Sequence, residues 1–280
     1  MRAFLILTCA VVLLAVGPGP ARGDHEIARW RHGHTAAVSV TFDDALYSQV
    51  AVGAPLLEER NLRGTFYLLT GDGWNEWVGY WDDWRSVAAA GHEIGSHTVT
   101  HAQLSTLSEA EMRQELEQSK QTIEAEIPGQ PCLTFAYPYG DYDDFVMEVT
   151  SDYYIAARTV WSPLYLNFYP GDPYTAMDAM EVGSYSFDWP GLATPEALSG
   201  FLDSAEEYQA WFIPHIHPLD EPTAVDVYTG FLDELVSRDL WVDTVANVFR
   251  YMWERNAATL AVLSESPMEI TLALTHDLDQ

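Results

Sequence analysis

The chain has almost no lysine. Lys120 is the only one in 280 residues, and lysine plus arginine number 13 against 42 acids, for a formal net charge of −29. Neutralising a phosphate backbone needs clustered Lys and Arg, so no nucleic-acid partner is expected. Adhesion to an anionic membrane surface is disfavoured for the same reason. Cysteine is nearly as scarce. Of the two, Cys9 falls in a leader-like segment, which leaves Cys132 without an internal disulfide partner. Beyond the N-terminus no apolar run approaches the roughly 20 residues of a membrane span, so no stable insertion is expected. Apolar residues, by contrast, are plentiful at 48%, enough for a sizeable core and too many for a disordered chain.

Residues 1–23 read as a secretory signal. Arg2 supplies the positive start, 3–16 an apolar run, and 17–23 a small-residue exit with Ala21 and Gly23 at the −3 and −1 positions. A secreted or periplasmic protein is therefore expected. Cleavage would remove Arg2 and Arg22 and leave the balance still more acidic.

From 36 to 255, strand-like and helix-like segments alternate. Segments 36–42, 64–70, 92–96, 133–137, 153–157, 210–216 and 240–242 read as strands. Helices are expected over 49–60, 82–90, 109–127, 143–151, 195–208, 224–237 and 243–255. Ser108 and Glu111 form a capping-box pattern, and Thr194-Pro195 an N-cap followed by Pro at the first helical position. Segment 159–193 reads as irregular. Such alternation implies a parallel sheet, open or closed into a barrel, with active groups at the C-terminal ends of the strands. The expected layout is a signal at 1–23, a catalytic domain over 30–260, and an extension over 261–280. In that extension 268–275 alternates like a strand with no evident partner.

Four constellations fall at strand ends. Asp43 and Asp44 close the first strand; one carboxylate can bind a metal while the other acts as a base, although taken alone the pair reads better as a solvated acidic turn. In Gly91-His92-Glu93-Ile94-Gly95-Ser96-His97-Thr98-Val99-Thr100-His101, the spacing of His97 and His101 is one helical turn, so both rings can share a face. Two His and a carboxylate leave open positions on a divalent cation, the layout of a catalytic site. His92 reads as structural. Phe135-Ala136-Tyr137-Pro138-Tyr139-Gly140 is a turn that can aim a backbone N–H at a bound oxygen. His215 and His217 lie two apart on a strand and face one side, either a general acid or a metal pair.

The order Thr-Phe-Asp-Asp, Gly-His-Glu-Ile-Gly-Ser-His-x-x-x-His, Phe-Ala-Tyr-Pro-Tyr-Gly and a late strand His resembles the polysaccharide deacetylase family, carbohydrate esterase family 4. The resemblance covers 36–260 and implies an α/β fold, a distorted (β/α)7 barrel. It implies a secreted metal-dependent hydrolase that removes N-acetyl or O-acetyl groups from a polysaccharide or oligosaccharide. Asp44, His97 and His101 would hold a divalent metal, most commonly Zn2+. Asp43 would be the base, His217 the acid with His215 as runner-up, and the Tyr139 N–H the oxyanion donor beside Pro138. Trp74 and Trp77 are candidate sugar platforms, with simple packing as the alternative. Two rival readings remain. One is a hydrolase of the same fold acting on other amides or on acetyl esters such as acetylxylan; the other is a non-catalytic carbohydrate binder.

Three departures stand out. Ala136 occupies the place where most of the family has an Arg that orients the base, and Arg158 after the next strand is the candidate substitute. The usual Asp-Trp motif after that strand is missing, with Trp161 the nearest aromatic. Ala45 replaces a frequent Gly, with no expected consequence.

The acidic surface makes one prediction independent of chemistry. Self-repulsion is screened within about 10 Å at 0.1 M salt and about 3 Å at 1 M. The melting temperature of the mature chain should therefore climb between those salt concentrations. A flat profile by differential scanning calorimetry would show that the surface charge is not felt by folding.

Overall fold

The computed structural model describes residues 25–71, 80–160, 164–165, 178–187, 193–266 and 269–276. The leader 1–23 and Trp74, Trp77 and Trp161 lie outside the described residues.

The strands in chain order are β1 (Ala36–Val38), β2 (Val40–Phe42), β3 (Gly64–Leu68), β4 (Glu93–Ser96), β5 (Thr134–Ala136), β6 (Ala156–Arg158), β7 (Leu164–Tyr165), β8 (Tyr185–Ser186), β9 (Trp211–Phe212), β10 (Pro214–Ile216), β11 (Leu240–Val242), β12 (Ala258–Ser266) and β13 (Glu269–His276). The helices are α1 (Ala54–Glu58), α2 (Trp81–Ala89), α3 (Glu109–Glu126), α4 (Asp144–Ser151), α5 (Pro195–Glu207), α6 (Pro222–Ser237) and α7 (Val245–Ala257). Seven strands form a curled, all-parallel sheet in the order β6-β5-β4-β3-β2-β10-β8. With its helices this is the α/β arrangement of a distorted (β/α)7 barrel. No helix among the described residues is long and apolar enough to cross a membrane.

Two expected strands are each broken in two. Segment 36–42 splits at Ser39, so that β1 pairs with β11 and β9 while β2 pairs with β3 and β10. The hydroxyl of Ser39 donates to the Asp243 carbonyl at 2.8 Å and accepts the Trp211 indole N–H at 3.0 Å. A polar residue at the break thus keeps its bonds in a buried place. Segment 210–216 splits likewise at Ile213. Both runs are buried throughout because both faces are covered, so periodicity could not show where partners change.

The helix expected over 49–60 opens as a π turn over Gln49–Gly53 before α1. Pro55 has no N–H to offer to a regular helical ladder there. The capping box is formed: Glu111 N–H reaches Ser108 Oγ and Ser108 N–H reaches Glu111 Oε2 at 2.9 Å. In the core, Phe42 and Phe66 stack with centroids 4.6 Å apart, and Trp84 and Tyr228 flank them. Glu93, whose register partner is Thr65 rather than Phe66, is a buried polar knot on the other face of the sheet. It accepts from Thr65 Oγ1 on β3 at 2.9 Å, from Thr134 Oγ1 on β5 at 2.5 Å, and from the Ala246 N–H of α7 at 2.9 Å.

The extension does find a partner within the chain. β13 pairs antiparallel with β12, whose residues the sequence left unassigned, in a two-stranded ribbon with a bulge between Val262 and Ser264. Leu260, Val262, Leu272 and Leu274 share one side of it, and Val262, Leu263 and Leu274 are exposed.

His92 is structural. It is fully buried, its Nδ1 accepts the Gly64 N–H at 3.0 Å, and burial together with the charge of Arg63 lowers its pKa to about 4. Between pH 6.5 and 4 the unfolded chain takes up a proton that the folded chain refuses. This contribution to stability is therefore complete above pH 6.5 and is lost as pH falls towards 4. It amounts to about 2 kcal/mol between pH 7 and pH 5. His92→Asn keeps an acceptor for Gly64 and cannot titrate. Urea unfolding at the two pH values should show the variant losing less stability than wild type by about that amount; equal losses would refute the assignment.

Candidate active site

Most candidate site residues among those described lie at or just past the C-terminal end of a strand, with His101 in the loop after β4 and His215 within β10. Asp43 and Asp44 follow β2, His97 follows β4, Pro138 and Tyr139 follow β5, Arg158 ends β6, and His217 follows β10. The parallel sheet gathers these ends at one mouth.

Asp44, His97 and His101 converge. One ligand atom from each lies within 4.8 Å of the others, with Asp44 Oδ1 3.5 Å from His97 Nε2 and 3.4 Å from His101 Nε2. His97 Nδ1 is 2.7 Å from the Ala136 carbonyl, which can only accept, so Nδ1 carries a proton and Nε2 is the nitrogen turned to Asp44. Burial and the neighbouring His97 hold His101 at a pKa of about 4. Burial pushes the Asp44 carboxyl up, but the imidazoles outweigh it and the net direction is down. Three potential ligand atoms thus face one another. Ligands about 2.0–2.2 Å from a tetrahedral Zn2+ would stand about 3.4 Å apart. The donor set and its spacings therefore fit a divalent cation.

The helical spacing expected of His97 and His101 is not used. They sit in a loop, with Thr98 and His101 at φ 71° and 60°. The His101 N–H donates to Thr98 Oγ1 at 3.0 Å, and the two rings meet edge to face at 4.9 Å. Such φ values cost a non-glycine residue about 1–2 kcal/mol each. Asp44 and Ala45, at φ 75° and 53°, and Tyr139, at 61°, share the strain. Ala45 is thus not a neutral replacement for Gly, because its Cβ is held in the left-handed region. Gly140 (φ 65°) is required as glycine: a Cβ there would lie 2.3 Å from Val160 Cγ2.

Asp43 is buried and paired with Arg158, whose Nη2 donates to Asp43 Oδ2. Burial raises the Asp43 pKa, yet the guanidinium and nearby imidazoles hold it far below the usual carboxylate range. Arg158 pairs in register with Ala136 across β5 and β6. Residues in register on neighbouring strands project to the same face. The guanidinium therefore stands one strand over from Ala136, on the same side of the sheet. The backbone of Asp43 is fixed by Gln49, whose amide donates to the Asp43 carbonyl and, at 3.1 Å, to that of His217.

The two late histidines differ. His217 is one-third exposed, with Nε2 3.9 Å from Asp43 Oδ2 and 3.8 Å from Asp44 Oδ2. His215 is buried, bonded through Nδ1 to Ser184 Oγ at 2.8 Å, and burial drives its pKa well below the ordinary value. Tyr139 is exposed over His101, ring to ring at 4.4 Å. Sequence reasoning missed Gln49 and Ser184. Only the aromatic alternation Tyr185-Ser186-Phe187 hinted at a strand beside Ser184.

Comparison with known proteins finds relatives in sequence and in fold. Residues 31–157 match the family model described as polysaccharide deacetylase. The chain is 30% identical to a gellan lyase of Bacillus sp over 92% of its own length, and that alignment spans 11% of the lyase. It is 34% identical to a chitin deacetylase of Pestalotiopsis sp over 29% of its length and 26% of the deacetylase. The chain thus spans about a tenth of the one relative and matches about a quarter of the other. A solved Mycobacterium smegmatis structure classed as a polysaccharide deacetylase superposes with a TM-score of 0.63 at 18% identity, covering 82% of this chain and 94% of that one. The match over 31–157, which holds Asp43, Asp44, His97, His101 and Tyr139, gives this chain a polysaccharide deacetylase domain over those residues.

Proposed function

We propose that the protein is a secreted, metal-dependent deacetylase that hydrolyses N-acetyl groups on a neutral, chitin-like polysaccharide. The observation that carries this reading is the buried Asp43–Arg158 pair beside the Asp44–His97–His101 triad. A binding module would need no ionised base next to three convergent ligand atoms. A divalent cation at that triad, zinc by donor type, would lower the pKa of water to about 7 and polarise the acetyl carbonyl.

The chain's own groups account for the proton movements. Asp43, kept ionised by Arg158, accepts the proton of the attacking water through its carboxylate. The water oxygen bonds to the acetyl carbon and the C–N bond breaks. His217 Nε2, on the open side of the cleft, donates a proton to the departing nitrogen, releasing acetate and a free amine. The Tyr139 N–H and the Pro138 turn face the acetyl oxygen as its charge develops. His215, buried and neutral, supports the site from behind rather than serving as the acid. The net charge of −29 opposes an anionic polymer, which favours a neutral glycan. Acetyl esters would use the same groups with an alcohol as leaving group, and remain the second reading because family and site do not fix the acyl link.

Elemental analysis of the purified mature chain should find one equivalent of metal, and acetate should appear from acetylated chito-oligosaccharides. His97→Ala/His101→Ala should lose both. Metal without acetate on any N- or O-acetyl glycan would leave a binding protein, and no metal after added zinc would sink the proposal.

Arg158→Ala should cost roughly 3–5 kcal/mol of stability by leaving a buried carboxylate alone, and at least about tenfold in kcat. Adding Ala136→Arg to that variant should recover part of both, since the two positions share a face and a register. Full activity in Arg158→Ala would show that Asp43 needs no guanidinium.

A further inference from the structure

Segment 182–186 touches both edges of the curled sheet. Val182 bridges to Arg158 on β6, while Tyr185 and Ser186 pair with β10. Ser184 stands where one pairing gives way to the other. It is buried, and its single hydroxyl meets three groups. Arg158 Nη1 donates to it at 2.8 Å, the Thr159 carbonyl lies at 2.5 Å, and His215 Nδ1 at 2.8 Å.

One proton must serve these contacts. The carbonyl can only accept, so the hydroxyl proton goes to Thr159 O, the shortest contact. Oγ then accepts from Arg158 and from the Nδ1–H of His215, which uses both lone pairs. The same arginine reaches Asp43 with Nη2 and lies over the Tyr67 ring at 5.4 Å. Its two terminal nitrogens are therefore held apart, Nη2 by the base and Nη1 by Ser184 at 2.8 Å, with a longer bond of 3.3 Å to the Thr159 carbonyl. A guanidinium fixed at one end only could swing away from a carboxylate.

We propose that Ser184 is a positioning residue of the catalytic centre: its hydroxyl holds Arg158 in register with Asp43 and joins that pair to His215 across the seam between β6 and β10. The proposal deepens the deacetylase reading and rests on it for the kinetic part. A purely structural serine would change the amount of folded enzyme, not the turnover of what is folded.

The test compares wild type, Ser184→Ala, Ser184→Thr, Arg158→Lys and Ser184→Ala/Arg158→Lys, each by acetate release, bound metal and crystal structure. Ser184→Ala should lose about tenfold in kcat with KM and bound metal unchanged, Ser184→Thr should retain most turnover, and Ser184→Ala should add little to Arg158→Lys. Its structure should show Arg158 displaced from Asp43. Full additivity with Arg158→Lys, or Arg158 still seated on Asp43 in Ser184→Ala, overturns the proposal. Wild type without acetate release overturns the deacetylase reading instead, and the position of Arg158 in Ser184→Ala then decides for or against Ser184 alone. Should Ser184→Ala fail to fold, the nearly isosteric Ser184→Cys, a weak acceptor, takes its place with the same criteria.

Discussion

Two adjacent carboxylates have to stay ionised in a nearly dry cleft. Like charges this close push each other towards protonation, and burial pushes in the same direction. The structure answers each one separately. Asp43 meets a buried guanidinium, and Asp44 meets two imidazoles poised around a cation-sized space. Much of the local architecture follows from keeping those answers apart. The turn after β2 enters the left-handed region at Asp44 and Ala45, the arginine comes from β6, and the histidines come from a loop after β4.

The fold positions these groups by gathering strand ends, and it holds them from beneath. Glu93 ties β3, β4, β5 and the start of α7 through three hydrogen bonds at the N-terminal end of β4, away from the mouth. Gln49 ties the strand that carries the aspartates to the strand that carries His217. Neither is a reacting group. Both fix backbones to which reacting groups are attached, and a displacement of an ångström at such backbones is costly in catalysis.

Much of this was legible in the sequence. The alternation of elements gave the parallel sheet, and the spaced Asp, His and Tyr-Pro-Tyr-Gly motifs gave the site, because those residue types are rarely assembled in that order otherwise. Arg158 was visible as the only nearby candidate for the guanidinium that Ala136 lacks. Other features were not legible, for physical reasons. The breaks at Ser39 and Ile213 fall in runs buried on both faces, where a change of partner leaves no trace in periodicity. The His97–His101 spacing fits a helix and a strained loop equally well, and only tertiary contacts decide. Ser184 is a common residue in an irregular stretch, and its role exists only through long-range neighbours. The ribbon of β12 and β13 was half seen, since its first strand follows a helix with no turn residue between them.

The strained residues have a meaning for laboratory evolution. Asp44, Ala45, Thr98, His101 and Tyr139 all hold left-handed backbone, and all stand around one cleft. A screen for thermal tolerance would be drawn to these positions, since relaxing them offers the largest local gain. They are also the positions least able to relax without moving a ligand or a donor. Stability and turnover should therefore trade against each other in a small, nameable part of this chain, while the rest of the barrel is open to improvement.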